Sequence, residues 1–339
     1  MPLHAAEFFQ LWQRGGDRLL ITFGPAGTTD TTGLFLVPGE GGGGEAPSGA
    51  VRVAQPLRRA ALLSTTHASF LSALGRADAV VGCAHVDRLR DSLVLALART
   101  GAIAEIGGAE GVDREKVLML APQALFVYPY GGGANLTALG PLPVIPVAEY
   151  LEPDPLGRAE WIRAFGVLLG RDSLAQARFA AILQRYGQVR ASVPPGLPRP
   201  EVFFGSSWKG TWSVPSGRSY MARLIDDAGG HYLFDDRRTE GNINVDLEQV
   251  LLVGARAAFW GRVLDEQRPV RPGDVAGDDG RILALPAFRG HGAFFANSRT
   301  SDLFGQAGLE PDVVLQDLAA IFHPSLFPGH RPVYFRPVQ

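Results

Sequence analysis

Cysteine is almost absent from this chain of 339 residues, which contains only one. A single cysteine excludes an internal disulfide and a cysteine-rich metal site. Cys83 ends the apolar run 79–83, so we expect a buried strand end in which the thiol is packed. Histidine is also scarce, with seven residues and no His-rich loop, and this argues against a site for a bare zinc or manganese ion.

Neither a large net charge nor a long apolar run is present. The formal net charge is −2, whereas a nucleic-acid-binding protein normally has a basic face. No run of about 18 apolar residues occurs, so we predict no membrane-spanning segment. Residues 1–4 do not begin the basic and apolar regions of a signal peptide. We therefore expect either a cytoplasmic protein or an exported one whose leader is no longer attached.

The motifs of common enzymes are missing as well. The glycine run 41–44 has no following Lys-Ser/Thr and no flanking strand and helix, so it is not a phosphate-binding loop. No Gly-x-Ser-x-Gly sequence marks a hydrolase nucleophile. Two-lobed glycosyltransferases bind a nucleotide diphosphate at a glycine-rich turn between strand and helix, and residues 64–68 contain no glycine. We keep that enzyme class as an alternative but expect no catalytic residues.

A seven-residue pattern, by contrast, is present twice. Its copies are residues 112–118 and 245–251, each with Asp second and Glu fourth, and each is followed by an apolar stretch with aromatics. An Asp before a helical turn accepts hydrogen bonds from free backbone N–H groups, and a Glu in the first turn faces the positive end of the helix. We predict two Asp-capped helices, each leading into a strand. On one interpretation the repeat is only structural, because any αβ protein repeats such units. On the other, it marks two similar lobes that each present an acid to a symmetric partner.

The order of apolar segments predicts an α/β fold. Strands and helices alternate with short connections in two regions, which is typical of parallel sheets covered by helices. Between them, apolar residues recur at helical spacing from 155 to about 192, with a break at Gly170 left open. We predict two Rossmann-like lobes linked by one long α-helix, with a small N-terminal β extension. The expected bounds are 1–56 for the extension, 57–154 for the first lobe, 155–193 for the linking helix and 194–339 for the second lobe.

Two shorter stretches give local predictions. In the N-terminal extension, strands at 18–23 and 34–37 flank a polar turn at 28–32. Near the end of the chain, residues 289–295 are predicted to form a strand with a charged rim.

Several short motifs follow one another in a characteristic order. They are Leu63-Ser64-Thr65-Thr66-His67 with Leu71 and Leu74-Gly75, then Gly82, the two Asp-x-Glu helices, the helix from 155 to 192, Pro215–Tyr220 with Asp227–Gly230, and His323–Pro328. In this order they resemble the substrate-binding proteins of ABC importers for ferric siderophores, haem and cobalamin. Those receptors have two lobes joined by one long helix. The similarity covers roughly residues 57–335, and its specificity lies in the order rather than in any one motif.

The resemblance implies that each lobe presents one acidic residue to basic residues of the paired permease. By motif position, these acids are Glu115 and Glu248. A carboxylate on each lobe would steer a weak and reversible encounter. The alternative is that each Glu only stabilises its own helix, by about 0.3–1 kcal/mol.

Ligands of open αβ sheets lie beyond the carboxyl ends of the strands, so two facing lobes would form a cleft there. Flat rings cover the apolar faces of a large chelate, and guanidinium groups pair with its carboxylates or phenolates. The predicted ligand contacts are Thr66, His67, His85, Arg88, Tyr128 and Tyr130 in the first lobe, and Trp208, Lys209, Trp212, Arg218, Tyr220, Trp260, Arg262, Arg289 and His291 in the second.

Some of these candidates fit a structural role equally well. Trp212 and Trp260 are suited to the core, and Tyr220 to a position packed under its own helix. His67 is also suited to cap the helix that follows it.

The resemblance implies a receptor rather than an enzyme, one that captures a metal chelate outside the cytoplasm and delivers it to an ABC permease. An aromatic and basic site favours an anionic, partly apolar ligand, with a ferric siderophore first and cobalamin or haem as alternatives. We expect no cofactor, no metal bound directly by the protein and no nucleic-acid partner. The expected protein is a monomer, periplasmic or anchored to the cell envelope, that meets the membrane only through the permease or a removed lipid anchor.

Overall fold

The computed structural model describes residues 2–25, 27–39, 44–108, 111–128, 139–208, 210–237, 239, 241–277 and 279–338. The strands are β1 (Phe9–Arg14), β2 (Asp17–Gly24), β3 (Gly27–Val37), β4 (Val51–Arg52), β5 (Ala60–Leu62), β6 (Val80–Cys83), β7 (Ala104–Glu105), β8 (Gly107–Gly108), β9 (Gly111–Val112), β10 (Ala124–Val127), β11 (Val144–Pro146), β12 (Glu201–Phe204), β13 (Ser206–Trp208), β14 (Thr211–Pro215), β15 (His231–Tyr232), β16 (Asn242–Val245), β17 (Phe259–Leu264), β18 (Ala293–Asn297) and β19 (Phe335–Pro337). The helices are α1 (Thr65–Ala73), α2 (Ser92–Arg99), α3 (Arg114–Met119), α4 (Pro155–Leu169), α5 (Asp172–Ala191), α6 (Tyr220–Asp227), α7 (Leu247–Gly254), α8 (Pro272–Ala276), α9 (Pro286–Arg289) and α10 (Pro311–Phe322).

The chain divides into two compact units, and each is an α/β unit built on a mainly parallel sheet. The first unit comprises Met1–Glu152, Leu156–Ala181 and Phe304–Leu309, and the second comprises Pro153–Pro155, Ile182–Leu303 and Glu310–Gln339. The division between them falls inside α5. The predicted α/β fold class is confirmed.

An N-terminal sheet of strand order β1-β2-β3-β4 precedes the parallel sheet of the first unit. Its inner face buries Phe9, Leu20 and Phe35. The turn predicted at 28–32 is wrong, because these residues lie inside β3. Threonine is β-branched and suits a strand, while the reversal is made earlier, at Gly27, whose φ is +64°.

The parallel sheet of the first unit has the order β11-β10-β5-β6-β7. The interior strand β10 is buried at every position, which explains why its sequence is a continuous apolar run. One side of the sheet packs into a core formed by Ala61, Leu63, Ala84, Ile106, Val117, Leu125, Val127 and Leu139.

The helical stretch from 155 to 191 is two helices, not one. Gly170 has a φ of +63°, and its N–H donates to the Val167 carbonyl at 3.4 Å. The next N–H, of Arg171, donates to the Gly166 carbonyl at 2.8 Å, which completes a Schellman motif. The break that the sequence left open at Gly170 therefore separates α4 from α5, and Asp172 begins the second helix.

The sheet of the second unit has the order β15-β12-β17-β18-β19, in which only β19 runs antiparallel. An aromatic cluster fills its core. Phe203 stacks on Trp260 with ring centroids 3.7 Å apart, and Trp212 meets Trp260 edge-on at 5.6 Å. Buried aromatic pairs of this kind add about 0.5–1.5 kcal/mol each to the stability that burial of their area provides.

The strand predicted at 289–295 begins later than expected. Arg289 ends α9, and His291 lies in a turn with a φ of +58°. Strand β18 begins only at Ala293, after a turn at residues 290–291 and a close approach of Gly292 to the backbone of Ala258. A Cβ on Gly292 would lie 2.0 Å from the Ala258 carbonyl oxygen.

Buried carboxylates attach both terminal segments to helices. Glu160 on α4 is fully buried and accepts hydrogen bonds from the backbone N–H groups of His4, Ala5 and Ala6 at 2.8–3.1 Å. Nearby, Glu152 accepts from the N–H groups of residues 7 and 8 and from the indole N–H of Trp161. A buried carboxylate is stable only when such donors compensate its lost hydration.

The same device recurs at the other end of the chain. Asp317 on α10 is fully buried and accepts from the backbone N–H groups of Val333, Tyr334 and Phe335. His330 lies 2.7 Å from its other oxygen. These contacts place the C-terminal segment so that β19 pairs with β18.

No helix in the described ranges combines the length and the apolar character that a membrane crossing requires.

We predict that the substitution Glu160→Ala lowers the free energy of unfolding by about 3 kcal/mol, because it leaves several N–H groups and the Arg163 guanidinium without their acceptor. Urea unfolding measures the loss, and amide exchange should show faster opening at residues 4–6. The control is Glu266→Ala, which breaks only an exposed pair with Arg268 at 3.8 Å and should cost less than about 1 kcal/mol. An equal loss in both variants would show that Glu160 does not hold the N-terminal segment.

Candidate functional site

The carboxyl ends of the parallel strands define one edge of each sheet, which we call the carboxyl edge of that unit. In the first unit it is formed by the residues that follow β5, β6, β10 and β11. In the second unit it is formed by the residues that follow β12, β15, β17 and β18. Irregular backbone at this edge leaves side chains available for a ligand, whereas the strands themselves supply the core.

Thr66 and His67 follow β5 but face inward. The Thr66 hydroxyl donates to the Phe304 carbonyl at 2.6 Å, which ties the returning segment Phe304–Leu309 to α1. His67 is fully buried, with its ring 6.4 Å from that of Phe126 and 6.2 Å from that of Phe165. The side chain that caps α1 is Ser64, not His67.

The turn after β6 is organised by a residue that the sequence analysis missed. The Glu105 carboxylate accepts from the N–H groups of His85, Val86 and Gly107 at 2.7–3.1 Å. These bonds hold His85 in the left-handed conformation, with a φ of 57° and a ψ of 48°. Arg88, three residues later, is exposed. His85 and Arg88 therefore lie on a fixed turn at the carboxyl edge of the first unit.

The remaining aromatic candidates at this edge follow β10. Tyr128 is half-buried and packs against the core of the first unit. Tyr130 lies outside the described residues, as does Lys209 in the second unit, and of Trp208 only the backbone in β13 is described.

Arg262 extends its guanidinium to the carboxyl edge of the second unit, where Ser207 follows β12. It lies in β17, and its guanidinium donates to the carbonyls of Asp274 and Ser207, both at 3.3 Å. Its Cζ is 5.9 Å from the centre of the Trp212 ring, within cation–π range. The side chain is half-buried, so its position is set by the protein while part of it remains accessible.

Gly277 makes the room that Arg262 occupies. A Cβ at this position would lie 2.6 Å from Nη1 of Arg262 and 2.9 Å from the Ser207 hydroxyl. The φ of 85° and ψ of −153° also belong to a region that only glycine adopts readily. No pattern in the sequence marked this glycine, since the contact depends on the fold.

Trp212 and Trp260 are buried core residues, which agrees with the structural role that the sequence left open for them. Tyr220 begins α6 and is half-buried, while Arg218, just before it, is exposed.

Arg289 and His291 are exposed but lie before β18, at the amino end of that strand. The carboxyl edge is at the opposite end, so the sheet does not bring these two residues together with Arg262.

The two repeated helices have the predicted form. The Asp113 carboxylate accepts from the Lys116 N–H at 3.0 Å and caps α3, and the Asp246 carboxylate accepts from the Gln249 N–H at 2.8 Å and caps α7. Glu115 and Glu248 lie in the first turns of these helices, and both side chains are exposed.

Glu248 has a cation nearby. The pKa of Arg281 is raised mainly by its hydrogen bonds to Asp279 and to a smaller extent by the negative charge of Glu248. The two acids of the repeat therefore differ in their surroundings, although their positions on the helices match.

A second titratable cluster lies inside the first unit. His67 Nε2 is 3.9 Å from Glu149 Oε2, and both side chains are buried. Burial lowers the pKa of His67 to about 3, and burial raises the pKa of Glu149 to about 7 against the opposing charge of Arg158. The imidazole is therefore neutral near pH 7, so this contact is not an ion pair.

Across the described ranges, no three His, Cys, Asp or Glu side chains come together in a way that could hold a metal ion.

We predict that Gly277→Ala lowers the free energy of unfolding by about 1–3 kcal/mol, because alanine is strained at this φ and ψ and its Cβ displaces Arg262. Thermal and urea unfolding measure the change. Gly273→Ala in α8 is the matched control, since nothing lies within 4 Å of its Cβ, and it should be neutral or stabilising by about 0.5–1 kcal/mol. If both substitutions behaved alike, the strain assigned to residue 277 would be absent.

His67 and Glu149 should give opposite pH dependences of stability. The depressed pKa of His67 means that its contribution is complete above pH 6.5 and is lost as the pH falls towards 3. The raised pKa of Glu149 means that its contribution is complete below pH 4.5 and is lost as the pH rises towards 7.

Urea titrations from pH 5 to 6 test this. Relative to His67→Gln, the wild type should gain about 1.4 kcal/mol per pH unit, and relative to Glu149→Gln it should lose a similar amount. Slopes of the same sign for the two variants would contradict the assigned protonation states.

Comparison with known proteins places these features in a family. The sequence model described as periplasmic binding protein matches residues 61–280. An uncharacterized lipoprotein of Methanocaldococcus jannaschii is 26% identical over 306 residues, which cover 83% of this chain and 68% of that protein.

Solved structures show the same fold at low identity. A periplasmic haem-binding protein from Pseudomonas aeruginosa has a TM-score of 0.65 and 18% identity, covering 84% of this chain and 98% of that one. A molybdate periplasmic binding protein from Haemophilus influenzae has a TM-score of 0.64 and 15% identity, covering 81% and 89%. With a family match over most of its length and this fold, the chain belongs to the periplasmic binding proteins, as the resemblance in its sequence predicted.

Proposed function

We propose that this protein is the extracytoplasmic substrate-binding component of an ABC importer and that it captures a metal chelate, with a ferric siderophore as the first choice. The observation that carries the proposal is the repeated Asp-capped helix with an exposed Glu, present once in each unit of a periplasmic binding protein. The family and the similar structures are solute-binding proteins. We accordingly assign the chain binding without turnover.

Glu115 and Glu248 are the permease-docking residues in this proposal. Their carboxylates are exposed and each is held by a short capped helix, so both are available to a partner without a change in fold. Two carboxylates at matching positions suit a partner with two equivalent basic sites. Exposed charges of this kind raise the rate of association more than they slow dissociation.

Arg262 is the central ligand contact on the second unit. A guanidinium with a fixed position and an aromatic neighbour recognises the carboxylates or phenolates of an anionic chelate better than a mobile cation does. Tyr220 and Arg218, which lie at the start of α6, are further proposed contacts of this unit. On the first unit, the contacts are His85 and Arg88 on the turn that Glu105 organises, together with Tyr128.

The proposal omits several residues that the sequence had offered. Thr66, His67, Trp212 and Trp260 support the site from the core. Arg289 and His291 belong to the other edge of the sheet.

Ligand identity is the finer part of the proposal. The solved structures with this fold include proteins described as binding haem and molybdate, so the fold is compatible with chemically different ligands. A cation as well positioned as Arg262 favours an anionic chelate, and cobalamin or haem is the alternative. The match to a lipoprotein supports a location at the cell envelope.

Native mass spectrometry with a ligand panel tests the proposal. The panel contains catecholate, hydroxamate and carboxylate ferric siderophores, haem and cobalamin. We expect a ferric siderophore to be retained, and Arg262→Gln to weaken its binding at least about tenfold through loss of charge-assisted hydrogen bonds.

Arg289→Gln is the matched control, since Arg289 is an exposed arginine of the same unit on the opposite edge of the sheet, and it should leave affinity unchanged. If only haem or cobalamin were retained, the proposed ligand would be wrong, but the proposed receptor function would stand. If none of the panel were retained, or if R262Q and R289Q had the same effect, the proposed ligand surface would be wrong.

A further inference from the structure

The two most exposed large apolar side chains among the described residues are Met119 and Leu252. Met119 is 78% exposed and Leu252 is 76% exposed, while the next, Leu93, is 60% exposed. Single exposed apolar residues are common on protein surfaces and need no explanation. These two do need one, because of where they lie.

Met119 and Leu252 occupy the same position of the internal repeat. Each is the residue directly after the seven-residue pattern, so each lies four residues after its docking acid, Glu115 or Glu248. Side chains four residues apart on a helix lie on one face, with their Cβ atoms about 5–6 Å apart. Each unit therefore presents an acidic–apolar patch, which we define as Glu115 with Met119 in the first unit and Glu248 with Leu252 in the second.

Neighbouring side chains enlarge both patches. Next to Met119, Leu118 is 52% exposed. Leu283, in the 3-10 segment that packs against α7, is 43% exposed. The elements beneath are well packed, since Val117 and Val250 of the same helices are fully buried. The apolar exposure is thus not a sign of a loosely folded helix.

We propose that Met119 and Leu252 insert into two equivalent apolar pockets on the transmembrane permease, each pocket lying beside a basic residue that pairs with Glu115 or Glu248. This inference rests on the proposed function. Two like patches on one chain match a partner with two like sites, which is what a two-fold symmetric homodimer provides. The negative charge of each patch requires that the rim of each pocket be positive.

The two halves of each patch have different tasks. The carboxylates act over distance and speed up the encounter, so their effect falls with salt. The apolar side chains act only on contact and slow dissociation, so their effect does not depend on salt. Burying a Met or Leu side chain contributes enough free energy for at least about a tenfold change in affinity per site.

The experiment measures binding of the full chain to a permease–ATPase complex reconstituted in nanodiscs, at low and high salt, by biolayer interferometry. The complex used is the one whose ATPase activity the wild-type chain stimulates. The variants are the double charge reversal E115R/E248R and the double polar replacement M119Q/L252Q. The control L174Q/L326Q replaces two exposed leucines on other elements. Empty nanodiscs and sedimentation of the free chain complete the set.

We expect M119Q/L252Q to bind at least about a hundredfold more weakly at both salt concentrations, mainly through faster dissociation. E115R/E248R should lose association rate, most strongly at low salt. The control should match the wild type, and all variants should keep the wild-type ligand affinity. M119Q/L252Q should also keep the wild-type melting temperature, whereas E115R/E248R should lower it slightly, because it places a cation at each helix N-terminus.

The outcomes separate the inference from the function on which it rests. If E115R/E248R loses binding while M119Q/L252Q keeps it, the apolar contact is wrong and docking through the acids stands. If the wild type stimulates no importer complex, the proposed function itself fails. Two further outcomes would overturn the inference. If the wild type bound empty nanodiscs and M119Q/L252Q did not, the patches would be assigned to lipid. If the wild type self-associated and M119Q/L252Q did not, they would be assigned to a second copy of the chain.

Discussion

Hydrogen bonds from backbone N–H groups to buried carboxylates are the interaction on which the rest of this structure depends. Removing a carboxylate from water is costly unless donors replace its hydration, and an irregular segment has N–H groups that no helix or strand satisfies. Glu160, Glu152 and Asp317 meet both needs at once. Burial still raises the pKa of Glu152 to about 7, although hydrogen bonds from Glu7, Trp161 and Phe8 oppose the shift. Glu105 uses the same principle at the surface to shape the turn that carries His85.

Features set by neighbouring residues could be predicted from the sequence. The Asp caps of α3 and α7, the exposed glutamates in their first turns and the buried runs of β5 and β10 all follow from local spacing. The α/β fold class follows from the order of such segments. The break at Gly170 was visible as a possibility, but only the hydrogen bonds of residues 170 and 171 decide it.

Features set by distant residues could not be predicted. Glu160 meets residues far away in the sequence, and nothing in its own neighbourhood marks it as an acceptor of backbone N–H groups. Trp212 and Trp260 are residue types that suit a ligand site, but they pack edge to face in the core. Arg289 and Arg262 look alike in sequence, yet Arg262 lies in β17 whereas Arg289 ends α9, before the amino end of β18. For this reason the exposed first-turn positions of Glu115 and Glu248 could be predicted from the sequence, whereas the surroundings of the proposed ligand contacts depend on tertiary position.

The N-terminal sheet is attached to the rest of the first unit by hydrogen bonds and is therefore not an independent module. It lies outside the region that matches the family, 61–280, yet its first residues supply the donors for two acids on or beside α4. Without these residues Glu152 would keep only the Trp161 indole N–H and Glu160 only the Arg163 guanidinium among the donors described above, so both carboxylates would lose most of their compensation. The acids at positions 152 and 160 and the N-terminal extension thus depend on one another for their hydrogen bonds. The extension is therefore an integral part of the first unit, which cannot be removed without disturbing the start of α4.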